Sequence, residues 1–113
     1  MPGTTDYVQI LTWVPSADEA TELARSVVHA RLAAAAQVAG PAHSFYWWDG
    51  SVQEDMQEWQ VQMKTTLDLY PAIEAHIKAR HSYQTPGIIA VPIVAGSADY
   101  LRWISAETTR SDV

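Results

Sequence analysis

The side chains of this sequence best suited to chemistry are Glu58, Lys64, His81 and Tyr83. A neutral imidazole coordinates Cu²⁺ or Zn²⁺, so His81 is the candidate metal ligand. A carboxylate binds cations and an ammonium group binds anions, so Glu58 and Lys64 are candidate ligand-binding residues, together with Tyr83. Glu58 and Lys64 lie roughly 20 Å apart along one strand, at about 3.4 Å per residue. They cannot pair within that strand, and we expect each to meet a ligand or a neighbouring subunit.

Glu58, Lys64 and His81 each also have a structural interpretation. His81 follows a predicted helix, where a histidine can cap the last turn. A specific metal site usually needs three or four ligands, and the other histidines stand at no ligand spacing. Glu58 and Lys64 would, without a ligand, form ion pairs between subunits. For all three residues both interpretations remain open at this point.

Four consecutive aromatic residues precede an Asp-Gly pair, in the run FYWWDG at residues 45–50. Asp-Gly between two strand-like segments predicts a tight hairpin turn, because glycine tolerates positive φ. Tyr46 and Trp48 share one face of the strand, and Phe45 and Trp47 share the other. One pair must find cover outside an ordinary core. Tyr46 and Trp48 therefore wall a ligand cleft between subunits, or the aromatics anchor a subunit interface, where Tyr and Trp are enriched.

The composition narrows the function classes. The 113 residues are predicted to form one domain, 1–113, with flexible termini at 1–6 and 108–113. The net charge of −6 argues against nucleic acid as a partner, and no apolar run approaches a membrane span. The first six residues lack a secretory leader pattern, so a cytoplasmic location is expected. No cysteine, phosphate loop, nucleophile triad or HExxH motif is present, and the sequence predicts no enzyme.

Hydrophobic periodicity predicts a strand and a helix at the beginning of the chain. Residues 7–14 alternate as a strand, with Val8, Ile10, Thr12 and Val14 on one face. Ser16 begins a helix through a capping box, in which Glu19 reaches back to the cap. The alanine run at 33–36 is favourable for helix, and we expect Ala34 to belong to this helix.

The middle of the chain predicts the long hairpin and a second helix. A strand at 37–48 is interrupted at Gly40-Pro41, which predicts a bulge or an edge. After the turn, a third strand carries Trp59, Val61 and Met63 on one face. Its other face carries Glu58, Gln60, Gln62 and Lys64. Asp68 is the predicted N-cap of the second helix, with Pro71 in its first turn.

The last third predicts a buried strand and a closing helix. Residues 88–94 form a short apolar run, in which Pro92 indicates a sheet edge or a bulge. Ser97 caps the final helix, whose predicted packing residues are Tyr100, Leu101, Trp103 and Ile104. The element order βαββαβα predicts an α+β, ferredoxin-like sandwich with an extra C-terminal helix. The sheet face opposite the two main helices is expected to pack on a neighbouring subunit.

With these elements placed, the sequence resembles the CutA family of divalent-cation tolerance proteins. The likeness covers roughly residues 7–106 in one order. The stretches that carry it are RLAA at 31–34, SFYWWDG at 44–50, Glu58 with Lys64-Thr65, HSYQTPGIIAVPI at 81–93 and YLRW at 100–103.

The resemblance implies a homotrimer in which the long hairpin reaches onto a neighbour, an arrangement shared with PII signalling proteins. It implies a role in tolerance to copper and other divalent ions, with metal bound weakly at clefts between subunits. The alternatives are a PII-like sensor, in which Lys64 and the aromatics hold an anionic metabolite, and a structural trimer that presents its last helix to a protein partner. The family often has Cys where this chain has Ala35. Its His-x-Tyr segment carries two glutamates where this chain has Gln84 and Gly87.

Overall fold

The computed structural model describes residues 6–108, which contain four strands and three α-helices in the order βαββαβα. The strands are β1 (Tyr7–Val14), β2 (Ala35–Trp48), β3 (Ser51–Thr66) and β4 (Ile88–Pro92), and the helices are α1 (Ala17–His29), α2 (Tyr70–Arg80) and α3 (Ala98–Glu107). Within residues 6–108, no helix is long and apolar enough to cross a membrane. The predicted flexible termini fall mostly outside the described residues, although Thr108 is buried and its hydroxyl donates to the Ile104 carbonyl.

The described strands form one antiparallel sheet in the order β2-β3-β1-β4. The central strand β1 pairs with β3 from Tyr7 opposite Thr66 to Val14 opposite Trp59. On its other side, β1 pairs with β4. This strand order with the observed element order is the ferredoxin-like arrangement, so the predicted fold class is confirmed.

Alternate residues of β1 build the core. Val8, Ile10, Thr12 and Val14 are buried, while the residues between them are half-buried, as the alternation predicts. The two main helices and β3 complete this layer. Its other members include Ala20, Leu23 and Val27 of α1, Val61 and Met63 of β3, and Ile73 and Ile77 of α2. The opposite face of β1 presents the half-buried side chains of Gln9, Leu11 and Trp13.

The first helix ends before the alanine run, so the prediction that Ala34 is helical is wrong. The helix stops at His29, and Arg31 adopts a positive φ of 62°. The Ala34 amide then donates to the Lys64 carbonyl at 2.9 Å, and β2 begins at Ala35. Pairing with β3 and burial of Ala33 therefore outweigh the helix propensity of alanine, which is only a weak preference.

The β2–β3 hairpin confirms the turn and the bulge that the sequence predicts. Asp49 and Gly50 both have positive φ, 53° and 80°, which is the geometry of a two-residue hairpin turn. The register shifts where Gly40 and Pro41 lie opposite β3. A Cβ at position 40 would lie 2.7 Å from a ring atom of Trp59, so only glycine fits against this indole. The pairing shifts a second time beyond Ser44.

Two predictions about local structure in the second half of the chain are wrong. Asp68 does not cap α2: a short 3-10 turn, Leu67–Leu69, comes first, and the Asp68 carboxylate accepts from the Thr66 hydroxyl instead. The strand β4 is not buried, because it pairs only with β1 and exposes 47% of Ile89. The edge position that Pro92 indicates is confirmed.

The closing helix α3 begins at the predicted cap, where the Ser97 hydroxyl accepts from the Tyr100 amide. Only part of its predicted packing face is buried. Ile104 is fully buried, but Tyr100 and Trp103 remain 42% and 40% exposed and stack on each other with ring centroids 5.5 Å apart. Ile104 is the buried residue of this ten-residue helix, and the two stacked rings lie outside its buried face.

A hydrogen bond joins the outer surfaces of α1 and α2. The Ser26 hydroxyl donates to the Leu23 carbonyl and lies 2.8 Å from Nε2 of His76, so the imidazole donates to Ser26. The pKa of His76 is lowered from its ordinary value of 6.5, first by burial and second by the positive charge of Arg80. The neutral ring is therefore the form that the folded state favours.

This lowered pKa predicts a pH dependence of stability. The unfolded chain takes up a proton at His76 near pH 6.5, whereas the folded chain does so only at lower pH. The free energy of unfolding should therefore fall as the pH drops below that value. Urea unfolding between about pH 5 and pH 8 should show this slope, and it should be smaller in His76→Gln. In an NMR titration, Arg80→Gln should raise the pKa of His76, and an unchanged value would contradict the contribution of Arg80 while leaving that of burial.

Candidate functional site

A groove of about 770 Å³ opens where the tip of the hairpin meets the segment between α2 and β4. Aromatic side chains form most of its walls, and small polar side chains from the segment complete it. The lining residues are Trp13, Ser44, Phe45, Tyr46, Trp47, Trp48, Glu58, Ser82, Tyr83, Gln84, Thr85 and Gly87. Of these, Glu58 is the one charged residue, and the lining contains no Lys, Arg or His.

The Glu58 carboxylate, the charged group of the groove, is buried and accepts a hydrogen bond from a neutral side chain. Glu58 is only 7% exposed, and Oε2 of its carboxylate accepts a hydrogen bond of 2.8 Å from the Tyr83 hydroxyl. The pKa of Tyr83 is raised, first by burial, then by the hydrogen bond and the negative charge of Glu58, and further by Tyr46. Tyr83 therefore stays a neutral donor. Among the described residues, no basic group forms an ion pair with Glu58.

His81 fixes the segment that carries Tyr83. Its side chain is fully buried, Nδ1 accepts from the Tyr83 amide at 3.0 Å, and Nε2 lies 2.7 Å from the Trp13 carbonyl. Because Nδ1 is an acceptor, Nε2 carries the proton and donates to that carbonyl. The imidazole thus connects β1 to the segment and lies against the Tyr83 ring, with centroids 4.9 Å apart.

Glu19 provides a second attachment for the same segment. Its two carboxylate oxygens accept from the Ser82 amide at 2.9 Å and from the Ser82 hydroxyl at 2.8 Å. The predicted capping box is therefore half right: the Ser16 hydroxyl accepts from the Glu19 amide, but the Glu19 carboxylate points to Ser82. The chain offers no local sign of this role, because Glu19 and Ser82 are 63 residues apart.

The structure brings together four of the six predicted site residues. Tyr46, Trp48, Glu58 and Tyr83 line the groove. His81 lies behind Tyr83, outside the lining. Lys64 is not a lining residue, and its ammonium group lies 3.3 Å from the Gln37 side-chain oxygen.

The described part of one chain offers few ligands for a metal ion. Within residues 6–108, no group of three or more His, Cys, Asp or Glu side chains converges. Both ring nitrogens of His81 already form hydrogen bonds inside the chain, to the Trp13 carbonyl and the Tyr83 amide, whereas the last turn of α2 is met by the His81 backbone amide. Its role as a metal ligand stays a prediction, because coordination would require one of these bonds to open. Gln84 and Gly87 both line the groove. At these two positions the family that the sequence resembles carries glutamates.

Comparison with known proteins adds a consistent set of relatives. Residues 8–107 match the family model described as "CutA1 divalent ion tolerance protein". "Divalent-cation tolerance protein CutA" of Thermus thermophilus is 38% identical over 99 residues, 88% of this chain and 95% of that protein. "Protein CutA 1, chloroplastic" of Oryza sativa is 35% identical over 108 residues, which are 96% of this chain but 60% of the rice protein. The crystal structure of CutA1 from Oryza sativa superposes with a TM-score of 0.88 at 35% identity, covering 96% of this chain and 100% of the crystallised one.

The Glu58–Tyr83 hydrogen bond predicts the effect of removing one hydroxyl. In Tyr83→Phe the buried carboxylate loses its partner, which should lower the free energy of unfolding by about 1–3 kcal/mol. The matched control is Tyr100→Phe, on the exposed surface of α3, which should stay near the wild-type value. Urea unfolding at one fixed protein concentration measures both variants. An equal loss in the two, or none in Tyr83→Phe, would contradict a stabilising role for this bond.

Proposed function

This chain belongs to the CutA1 divalent ion tolerance family, and from that premise we propose that it acts in divalent-cation tolerance as a homotrimer that binds Cu²⁺ or Zn²⁺ weakly at the Glu58 groove. One observation carries the proposal: a buried carboxylate without a basic partner among the described residues. The proposed role is binding and not catalysis, in the cytoplasm.

The electrostatics of the groove favour a cation over an anion. A carboxylate that has left water, and whose one side-chain hydrogen bond within residues 6–108 comes from a neutral phenol, gains from an incoming positive charge. The net charge of −6 adds a modest attraction of the same sign. A sensor of anionic metabolites would need Lys64 in the groove, but Lys64 lies outside its lining. The cation is therefore the better-supported ligand.

The exposed hairpin supports the proposed trimer. Phe45 and Trp47 are 62% and 73% exposed, although both are large and apolar. Val52 on the facing strand is 43% exposed and extends the same apolar surface. Apolar surfaces of this kind mark interfaces, and a second copy of the chain would cover them. A neighbouring subunit would also bring further metal ligands to Glu58, which one chain does not provide within residues 6–108.

The assembly is tested by mass in solution. Analytical ultracentrifugation should give three times the chain mass of 12.5 kDa. A double variant, Phe45→Glu with Trp47→Glu, should shift the mass to one chain, because two charges would be buried at the interface. Leu67→Glu is the matched control at an exposed apolar position away from the hairpin, and it should remain a trimer. A monomeric wild type, or a trimeric hairpin variant, would overturn the proposed assembly.

Metal binding is tested by calorimetry on the assembled protein. Titration with Cu²⁺ and then Zn²⁺ should give saturable heat in the wild type, and Glu58→Gln should lose it. Glu54→Gln, an exposed carboxylate on the same strand, is the control that should keep the heat. His81→Asn separates the two interpretations of the histidine, because coordination by His81 predicts loss of heat comparable to that in Glu58→Gln. No heat in the wild type, or unchanged heat in Glu58→Gln, would refute binding at the groove.

A further inference from the structure

We propose that the same groove binds a weakly hydrated organic cation of the alkylammonium class, with its charge beside the Glu58 carboxylate and its alkyl groups against aromatic rings. The organic-cation site lies in the same groove as the proposed metal site and has the Glu58 carboxylate in common with it. It depends on neither the physiological metal nor the ligands that a second subunit would add.

The charge of the ligand follows from the carboxylate. Glu58 is nearly out of contact with solvent and holds one described side-chain hydrogen bond, from the Tyr83 hydroxyl. The pKa of this tyrosine is raised, so the phenol cannot share the negative charge. With no Lys, Arg or His in the lining, the groove has a single uncompensated charge of negative sign. An anionic ligand would meet this charge without a counterion.

The aromatic rings that line the groove indicate which type of cation it would bind. The rings of Trp13, Tyr46 and Tyr83 are half-buried around Glu58 and do not depend on the most exposed aromatics of the hairpin. Aromatic faces attract cations that shed water easily, and an alkylammonium ion does so more readily than a small divalent ion. A divalent ion keeps its affinity only when several oxygen or nitrogen ligands replace its water. The lining provides one carboxylate and several rings, a combination that suits the organic cation better.

Gly87 leaves space beside one of these rings. A Cβ at this position would lie 3.2 Å from Cε3 of Trp13, so any larger side chain would press on the indole. In one chain the groove measures about 770 Å³, which includes the space beside Phe45 and Trp47 and lies within the range of small-molecule sites. The lining also contains the polar side chains of Ser44, Gln84 and Thr85, which can form hydrogen bonds with a substituent on the ligand.

The test compares a cation with a neutral molecule of similar shape. Tetramethylammonium chloride and neopentyl alcohol are titrated separately into the isotopically labelled full chain, at constant ionic strength set with NaCl. We expect saturable NMR shifts of the Trp13 indole and Tyr83 ring with the cation, at an affinity on the order of millimolar, and none with the alcohol. Glu58→Gln should weaken binding about tenfold, and Tyr46→Leu several-fold, while Glu54→Gln leaves binding unchanged.

Equal binding of the alcohol, no saturable shift with the cation, or undiminished binding in Glu58→Gln would overturn the inference. Gly87→Leu provides an independent variant that keeps the carboxylate, and it should block binding by covering the Trp13 ring. A final titration adds Cu²⁺ to the tetramethylammonium complex. Cation binding without competition by Cu²⁺ supports the organic site and counts against the metal site. Binding of Cu²⁺ at Glu58 without any shift from tetramethylammonium refutes the organic site alone.

Discussion

The antiparallel pairing of β1 with β3 is the constraint on which the other parts of this structure depend. Its register places Val8 and Ile10 in the core and sends Trp13, from the same strand, to the other face. A slip of one residue would exchange the two faces, burying glutamines and exposing the core. The same pairing puts Trp13 opposite Gln60, two residues from Glu58. The register that packs the core therefore also brings these two groove residues close together.

Much of the fold can be predicted from local sequence patterns. The alternation of β1, the Ser16 and Ser97 caps and the Asp49-Gly50 turn all predict what the structure contains. The wrong predictions have different causes, of which one is competition from partners distant in the chain and another is the local 3-10 turn that displaces Asp68 from the helix cap. Alanines 33–36 favour a helix in isolation, yet the hydrogen bond from Ala34 to Lys64 commits them to the sheet region. The exposure of β4 likewise depends on its edge position, which its own apolar composition does not reveal.

The candidate site could be predicted in part for the same reason. Residue type and strand position point to Glu58, Tyr83 and the hairpin aromatics, because four consecutive aromatic residues exceed what one core face needs, whereas the burial of Glu58 follows only from the fold. Lys64 is predicted as a ligand-binding residue together with the aromatics, but it lies outside the lining, six residues from Glu58 along β3. The contributions of Glu19 and the Trp13 carbonyl could not be predicted, since a carboxylate and a backbone oxygen have no sequence signature for contacts with residues 81–83.

The attachments of the Tyr83 segment also bear on the order in which the molecule folds. His81 reaches Trp13 across 68 residues, Ser82 reaches Glu19 across 63, and Tyr83 reaches Glu58 across 25. Closing such long loops costs chain entropy before any of these bonds can form, so we expect the groove to be assembled late. The three bonds are adjacent in the chain but tie it to three separate elements. Loss of any one would release the segment from a different side, and amide exchange at residues 82 and 83 would report on the integrity of the whole domain.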